Sequence, residues 1–300
     1  MDLEQTAFER LRTGEKMSER FYKQPLIICY SGGKDSEVLL QLAINSGINF
    51  EVLHNHTTAD APETVYHIRD TFKRLELQGI KCTVEYPMYK GKPVSMWTLI
   101  PQKKMPPTRL RRYCCEVLKE HGGKNRAIST GVRWGESSRR AKTRGIYEDI
   151  NRNKEKKIIL NNDNDDMRRL FERCEIQAKT VVNPIIDWSD TDVWDYINDN
   201  KTPCNPLYCE GHPRVGRIGC PMAGKKRYAE FRRYPKYKQL YIHAYDRMLI
   251  ELKEQHEENP GNHKEIRWRD GYDVFRWTME ENYLQEEIPD EFYEEQGAAE

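Results

Sequence analysis

The residues whose types and spacing best suit chemistry are Ser31-Gly32-Gly33-Lys34-Asp35-Ser36. Adjacent glycines let backbone N–H groups approach a phosphate with no Cβ in the way. A helix starting there adds the positive end of its dipole, and the serine hydroxyls add further donors. This is an anion cradle. It has neither the three spaced glycines of a dinucleotide fingerprint nor the longer gap of a Walker loop, and a glycine pair alone also suits an ordinary turn between strand and helix. Further on, Arg133, Arg139, Arg140 and Arg144 surround the single acid Glu136. Guanidiniums so crowded either fork onto phosphate oxygens or form the salt-bridged start of a helix.

Eight cysteines form the second chemical resource. The first twenty residues carry charge throughout and have no apolar core segment, so the chain reads as cytoplasmic. Thiols stay reduced there, and a disulfide framework is disfavoured. Cys114 and Cys115 are adjacent, while Cys204, Cys209 and Cys220 lie close together in sequence. Such clustering points to a metal, either an iron–sulfur cluster held by thiolates or a tetrahedral zinc site. Cys29 and Cys82 fall in apolar runs and, like Cys174, read as small core residues. His54 and His56 flank Asn55 at the end of a strand-like run and are assigned no chemistry.

These residues need elements to hold them. Pro25 to Tyr30 is a short apolar run ending in glycine, which reads as a buried parallel strand. Glu37 to Ala43 has helical spacing and stops near Gly47. Phe50–His54, Cys82–Tyr86 and Ala127–Val132 read as further strands, and a helix opens at Asp60-Ala61-Pro62-Glu63 with proline in its first turn. The fold class expected is therefore α/β, a doubly wound, mostly parallel sheet, with a helical, cysteine-containing C-terminal region. With 300 residues and 37% hydrophobic content a sizeable core can be buried. A mean hydropathy of −0.90, with no apolar run long enough to cross a bilayer, excludes a membrane-spanning role.

The division expected is an N-terminal helix over 1–24, a nucleotide-binding domain over 25–200, a cysteine and basic helical region over 201–279, and an acidic tail over 280–300. Asn161 to Asp166 reads as a surface loop. Net charge is only +1, yet Lys225 to Lys238 interleaves Lys and Arg with Tyr228, Phe231, Tyr234 and Tyr237. That stretch suits either a phosphate backbone with stacked bases or a solvated helical face.

Taken in order, the motifs resemble a known family. Ser31 to Ser36 after a first strand is similar to the PP-loop of the adenine nucleotide α-hydrolase superfamily. Arg111-Arg112-Tyr113-Cys114-Cys115-Glu116-Val117-Leu118-Lys119, Gly131-Val132-Arg133-Trp134-Gly135-Glu136-Ser137-Ser138-Arg139, Asn183 to Trp188, Asp192-Val193-Trp194 and Gly216 to Pro221 resemble the phosphoadenosine-phosphosulfate reductase family. The resemblance implies that Ser31, Gly32, Gly33, Lys34, Asp35, Ser36, Gly131 and Arg133 bind ATP or a related adenine nucleotide. It implies catalytic roles for Lys34, Asp35, Arg133 and Glu136, with Asp35 helping to hold Mg²⁺. It also implies a [4Fe–4S] cluster drawn from Cys114, Cys115, Cys204, Cys209 and Cys220, with zinc as the alternative.

Two departures shape the activity expected. No cysteine follows Cys220, whereas sulfonucleotide reductases of this family end in a segment carrying the attacking thiol. Arg217 stands where Gly-Cys-x-x-Cys-Pro relatives have their first cysteine. The activity implied is adenylation of an acceptor with pyrophosphate release, supporting sulfur transfer as in the DNA phosphorothioation sulfurtransferases. A sulfur donor protein and nucleic acid would then be partners. Reduction of a sulfonucleotide with an external thiol is one alternative, and a non-catalytic nucleotide- or nucleic-acid-binding regulator is another.

Overall fold

The computed structural model describes residues 2–119, 122–150, 157–160, 179–258 and 266–284. In chain order its helices and strands begin with α1 (Leu3–Met17), β1 (Leu26–Cys29), α2 (Lys34–Ser46), β2 (Phe50–Asn55), α3 (Pro62–Leu77), β3 (Cys82–Glu85), β4 (Met88–Tyr89), β5 (Lys92–Pro93), α4 (Met96–Lys103) and α5 (Tyr113–Lys119). There follow β6 (Ala127–Ser129), α6 (Ser138–Thr143), β7 (Tyr147–Ile150), β8 (Lys157–Leu160), β9 (Lys179–Val182), α7 (Asp190–Asp199) and α8 (Pro206–Cys209). The last are α9 (Lys226–Arg233), α10 (Pro235–Glu258) and α11 (Gly271–Met279). The expected Asn161–Asp166 loop, Cys174 and the tail beyond Leu284 lie outside the described residues.

Two compact units share the chain. The first takes Met1–His56, Ala61–Glu85 and His121–Gly216, and the second takes Thr57–Asp60, Tyr86–Glu120 and Arg217–Glu300. In the first, seven strands run in the order β3-β2-β1-β6-β9-β7-β8. The five from β3 to β9 pair in parallel, with Leu26 opposite Phe50 and Ile28 opposite Ser129, while β7 pairs antiparallel with both β9 and β8. The parallel strands are those expected from their apolar runs, with β9 added. Residues alternate across the sheet. Leu26, Ile28, Val52 and Ala127 face a core built with Ala7 and Leu11 of α1, Val38, Leu39 and Leu42 of α2, Ile68 and Phe72 of α3 and Val193 of α7. Ile27, Leu53, Ile128 and Val181 form a second buried cluster.

Strand order reverses at β1. Sequence runs outward through β2 and β3 on one side, and resumes at β6 on the other. At such a switch point the loops leaving the carboxyl ends of the two central strands diverge and open a crevice, where open α/β sheets take their ligands. The loops in question are residues 30–33 after β1 and 130–133 after β6.

Among its described residues the second unit is helical, apart from the β4–β5 hairpin. Trp97 of α4 packs edge-on against Tyr241 of α10 at 5.0 Å, and Phe231 of α9 meets Phe275 of α11 at 5.1 Å. No helix among the described residues is long and apolar enough to cross a membrane.

Candidate functional site

The loop after β1 is wound tightly by its own hydroxyls. Ser36 donates to the Gly33 carbonyl at 2.7 Å and accepts from the Ser31 amide and hydroxyl, both at 3.2 Å. Gly32 lies at φ +71°, a left-handed conformation that favours glycine, and a Cβ there would press on Ile68 at 3.0 Å. Its carbonyl accepts from the fully buried Asn205 at 3.1 Å. Gly33 is the N-cap of α2 and has no side chain to cap with, so the Tyr208 hydroxyl accepts from the Lys34 amide at 3.0 Å. The loop after β6 presses on this one: a Cβ at Gly131 would stand 2.7 Å from the Asp35 carbonyl oxygen. Only a residue without a side chain fits between the two loops.

Charge concentrates where the loops meet. Arg133 and Lys34 are buried, at 3% and 6% exposure. Arg133 donates through Nε to Asp35 at 2.7 Å, through one terminal nitrogen to Asp190 at 2.8 Å, and through the other to the Trp188 carbonyl at 3.2 Å. Lys34 Nζ donates to Asp190 at 2.6 Å and to Asp35 at 3.1 Å. Burial alone would weaken the protonation of Arg133, but Asp35 and Asp190 outweigh it and hold the guanidinium firmly charged. Hydrogen bonds from Lys34, and then from Arg133, hold the Asp190 carboxyl below the usual range despite some desolvation.

Of the residues named from sequence, Ser31 to Ser36, Gly131 and Arg133 come together here. Glu136 serves differently: it accepts from the Arg133 backbone amide at 3.2 Å and pairs with Arg140. Arg144 pairs with the buried Glu148 at 2.8 Å. Arg140 is thus salt-bridged within the first turn of α6 and Arg144, at the end of that helix, ties it to β7, while Arg133 turns to the crevice. His54 is buried and its Nδ1 lies 3.0 Å from the Tyr30 carbonyl, a structural contact. Sequence reasoning missed Asp190, Asn205 and Tyr208. Asp190 was hidden in Ser189-Asp190-Thr191-Asp192, where Ser189 and Asp192 make a capping box and an extra first-turn acid looks routine.

The candidate metal ligands divide between the units. Cys204 and Cys209 belong to the first, and Cys114, Cys115 and Cys220 to the second. Within the second unit Arg217 is buried among its thiols. Its guanidinium donates to the Cys114 carbonyl at 2.9 Å and to Cys115 Sγ at 3.1 Å, and Arg112 donates to the same sulfur at 3.4 Å. A hydrogen bond from Cys114, reinforced by the two arginines against burial, holds the Cys115 thiol well below the ordinary thiol range; Cys114 is raised correspondingly. Burial works against the charge on Arg217, and the surrounding sulfurs of Cys114, Cys115 and Cys220 keep it protonated. An arginine offers no lone pair to a metal. The donor set of this unit thus suits a cluster held by three thiolates, and does not suffice for one held by four.

The basic stretch sorts itself on folding. Arg227 is buried and donates to the Thr278 carbonyl at 3.2 Å, and Tyr237 donates to the Asp60 carbonyl at 2.8 Å, so both are structural. Lys225, Lys226 and Arg232 are exposed, as is Tyr228.

The chain is similar to proteins of several organisms. A protein of Methanocaldococcus jannaschii is 26% identical over 258 residues, covering 82% of this chain and 46% of the relative, and a second from that organism is 29% identical over 231 residues. The chain thus spans about half the length of those relatives. An adenosine 5'-phosphosulfate reductase of Staphylococcus epidermidis is 24% identical over 212 residues, covering 68% of this chain and 74% of the relative. The crystal structure of phosphoadenylyl-sulfate reductase from Candida auris superposes with a TM-score of 0.40 at 15% identity, covering 68% of this chain and 87% of that one. The phosphoadenosine phosphosulfate reductase domain matches residues 25–223, a span containing both crevice loops, Asp190 and Cys220, and the chain belongs to that family.

Proposed function

We propose that the crevice between residues 30–36 and 130–133 binds the polyphosphate of ATP and that the chain is an adenylating enzyme supporting sulfur transfer. The observation that carries this reading is the pair of buried cations, Lys34 and Arg133, converging on the carboxylates of Asp35 and Asp190 beside a glycine loop at the sheet's switch point. Buried cations with forked donors are built to receive anionic oxygens. In the reaction an acceptor oxygen attacks the α-phosphorus of ATP, the bond to the β,γ-diphosphate breaks, and pyrophosphate leaves with the bonding electrons. Backbone N–H groups of the loop, with Lys34 and Arg133, bind the departing phosphates. Glu136 holds the Arg133 backbone in place.

Asp35 fits a Mg²⁺ bound jointly with phosphates, since that ion is commonly held by one or two carboxylates plus the substrate; bound there it would neutralise charge on the leaving group. Cys114, Cys115 and Cys220 would hold an iron–sulfur cluster, which supplies sulfur handling at the second unit. The adenylated acceptor would be the recipient of that sulfur. Exposed Lys225, Lys226 and Arg232 beside Tyr228 suit a nucleic acid as the acceptor.

Asp35→Ala tests the crevice. It is expected to abolish ATP-dependent pyrophosphate release while the circular dichroism of the fold is retained; turnover equal to the parent's would refute the assignment. The acceptor is tested by salt. Binding of a single-stranded oligonucleotide, read by anisotropy, is expected to fall by roughly one log unit per log of salt for each phosphate neutralised. Changing Lys225, Lys226 and Arg232 to Ala is expected to flatten that slope, and a slope that stays the same would return the stretch to a solvated surface.

A second reading rests on the reductase relatives. Consumption of adenosine 5'-phosphosulfate with an added thiol, and no pyrophosphate release from ATP, would favour it.

A further inference from the structure

Lys34 and Arg133 are matched in formal charge by the two carboxylates they pair with, Asp35 and Asp190. The four side chains are not equally placed. Those of Lys34 and Arg133 are 7% and 4% exposed and that of Asp35 27%, but that of Asp190 is 66% exposed. Asp35 stands in the first turn of α2, directly after the loop, whereas Asp190 reaches in from the first residue of α7. Two buried cations cannot follow water and must keep an anion beside them. A carboxylate two-thirds exposed can turn away into solvent at little cost.

We infer that Asp190 is a stand-in anion: it occupies the N–H donors of Lys34 and Arg133 until a phosphate takes them, and so sets the affinity of the crevice for polyphosphate. Asp190 Oδ1 accepts from both cations, at 2.6 Å from Lys34 and 2.8 Å from Arg133, which is the contact a bridging phosphate oxygen would make. A ligand and an internal carboxylate that need the same donors compete, and removing the carboxylate strengthens the ligand by the coupling between them. Ser189 and Asp192 cap α7 independently of Asp190, accepting each other's backbone amides at 3.1 and 2.6 Å, so the helix start does not depend on the Asp190 carboxylate. Asp190 is a positioning and affinity-setting residue, since it acts through Lys34 and Arg133.

This inference rests on the reading of the crevice as a polyphosphate site, and the experiment separates the two. Inorganic pyrophosphate is titrated by calorimetry into the full chain without divalent metal, and then with magnesium, for the parent, Asp190→Asn and Asp190→Glu. Asp190→Asn is expected to bind metal-free pyrophosphate at least about fivefold more tightly, the lower end of couplings between linked ligands, and Asp190→Glu to remain close to the parent. Damage to the fold would weaken binding, so a gain cannot arise from misfolding. Unchanged or weaker binding by Asp190→Asn, with the parent binding normally, overturns the stand-in role and leaves the crevice assignment intact. Weaker binding confined to the magnesium titration makes Asp190 a cation ligand and overturns it equally. A parent that binds no pyrophosphate in either titration overturns the crevice reading and this inference together.

Discussion

Arg133 in the first unit and Arg217 in the second are both buried guanidiniums, at 3% and 9% exposure, but their partners differ in kind. Arg133 faces two carboxylates and a carbonyl. Arg217 faces a thiol sulfur and a carbonyl, with no carboxylate side chain among its hydrogen-bond partners in the described residues. Hard carboxylate oxygens can be exchanged for phosphate oxygens of the same chemistry. A soft sulfur is a ligand in its own right, and the cation beside it alters its charge without replacing it. One residue type therefore sits among exchangeable oxygens in one unit and beside a thiol sulfur in the other.

The comparison breaks most visibly at Arg133. Arg133→Met is expected to cut ATP-dependent pyrophosphate release by at least about a hundredfold, the scale for losing a donor aimed at developing charge. Arg217→Met is expected to leave the same rate within about twofold of the parent, because Arg217 bonds to Cys114 and Cys115 and shares no hydrogen-bond partner with Arg133. Equal losses of rate in both variants would show that pyrophosphate release depends on the two arginines alike.

Iron sharpens the contrast at the second unit. After anaerobic reconstitution with ferrous iron and sulfide, Arg217→Cys is expected to lose iron to a chelator at least about tenfold more slowly than the parent, as befits a restored metal ligand. Visible absorbance bleached over time gives the rate. Equal rates would mean that the thiol at position 217 finds no place in the cluster.

The smallest effect is on stability. A carboxyl whose pKa is lowered by folding adds stability above its unfolded value, near 4 for Asp, and that stability disappears as pH falls through the folded value. Asp190 is such a group. Because its side chain is 66% exposed, solvent screening limits the gain, and Asp190→Asn is expected to be less stable than the parent at pH 7 by no more than about 1 kcal/mol. Thermal melts should converge as pH drops below the carboxyl's lowered pKa.

Much of the first unit could be read from sequence because buried parallel strands leave apolar runs, as Leu26 to Cys29 does throughout and Phe50 to Leu53 does apart from Glu51. The antiparallel strand β7 escaped because Glu148 and Asp149 interrupt Tyr147 to Ile150, and the burial of Glu148 depends on Arg144 and Asn183, partners that no local pattern announces. The glycine loop and Arg133 were legible through their types and order. Asp190 was not, since its role arises from a long-range approach to Lys34. Arg217 was visible as a missing cysteine, but its contact with Cys115 was not. Which of the five cysteines share a unit was not legible either, because sequence spacing carries no such information.

Interleaving of the two units also governs how the chain is made. Thr57–Asp60 belongs to the second unit although most of its neighbours in sequence belong to the first. Its partners arrive late: Ala59 accepts from the Ile218 amide at 2.9 Å, and Asp60 accepts from Tyr237, 177 residues downstream. At ordinary synthesis rates of about 5–20 residues per second, that backbone waits roughly ten to thirty-five seconds on the ribosome for its hydrogen bonds. Neither unit is a contiguous segment, so a truncated chain ending before Arg217 would leave the segments 57–60 and 86–120 without the helices they fold against. The segments of both units are therefore best produced together in one chain.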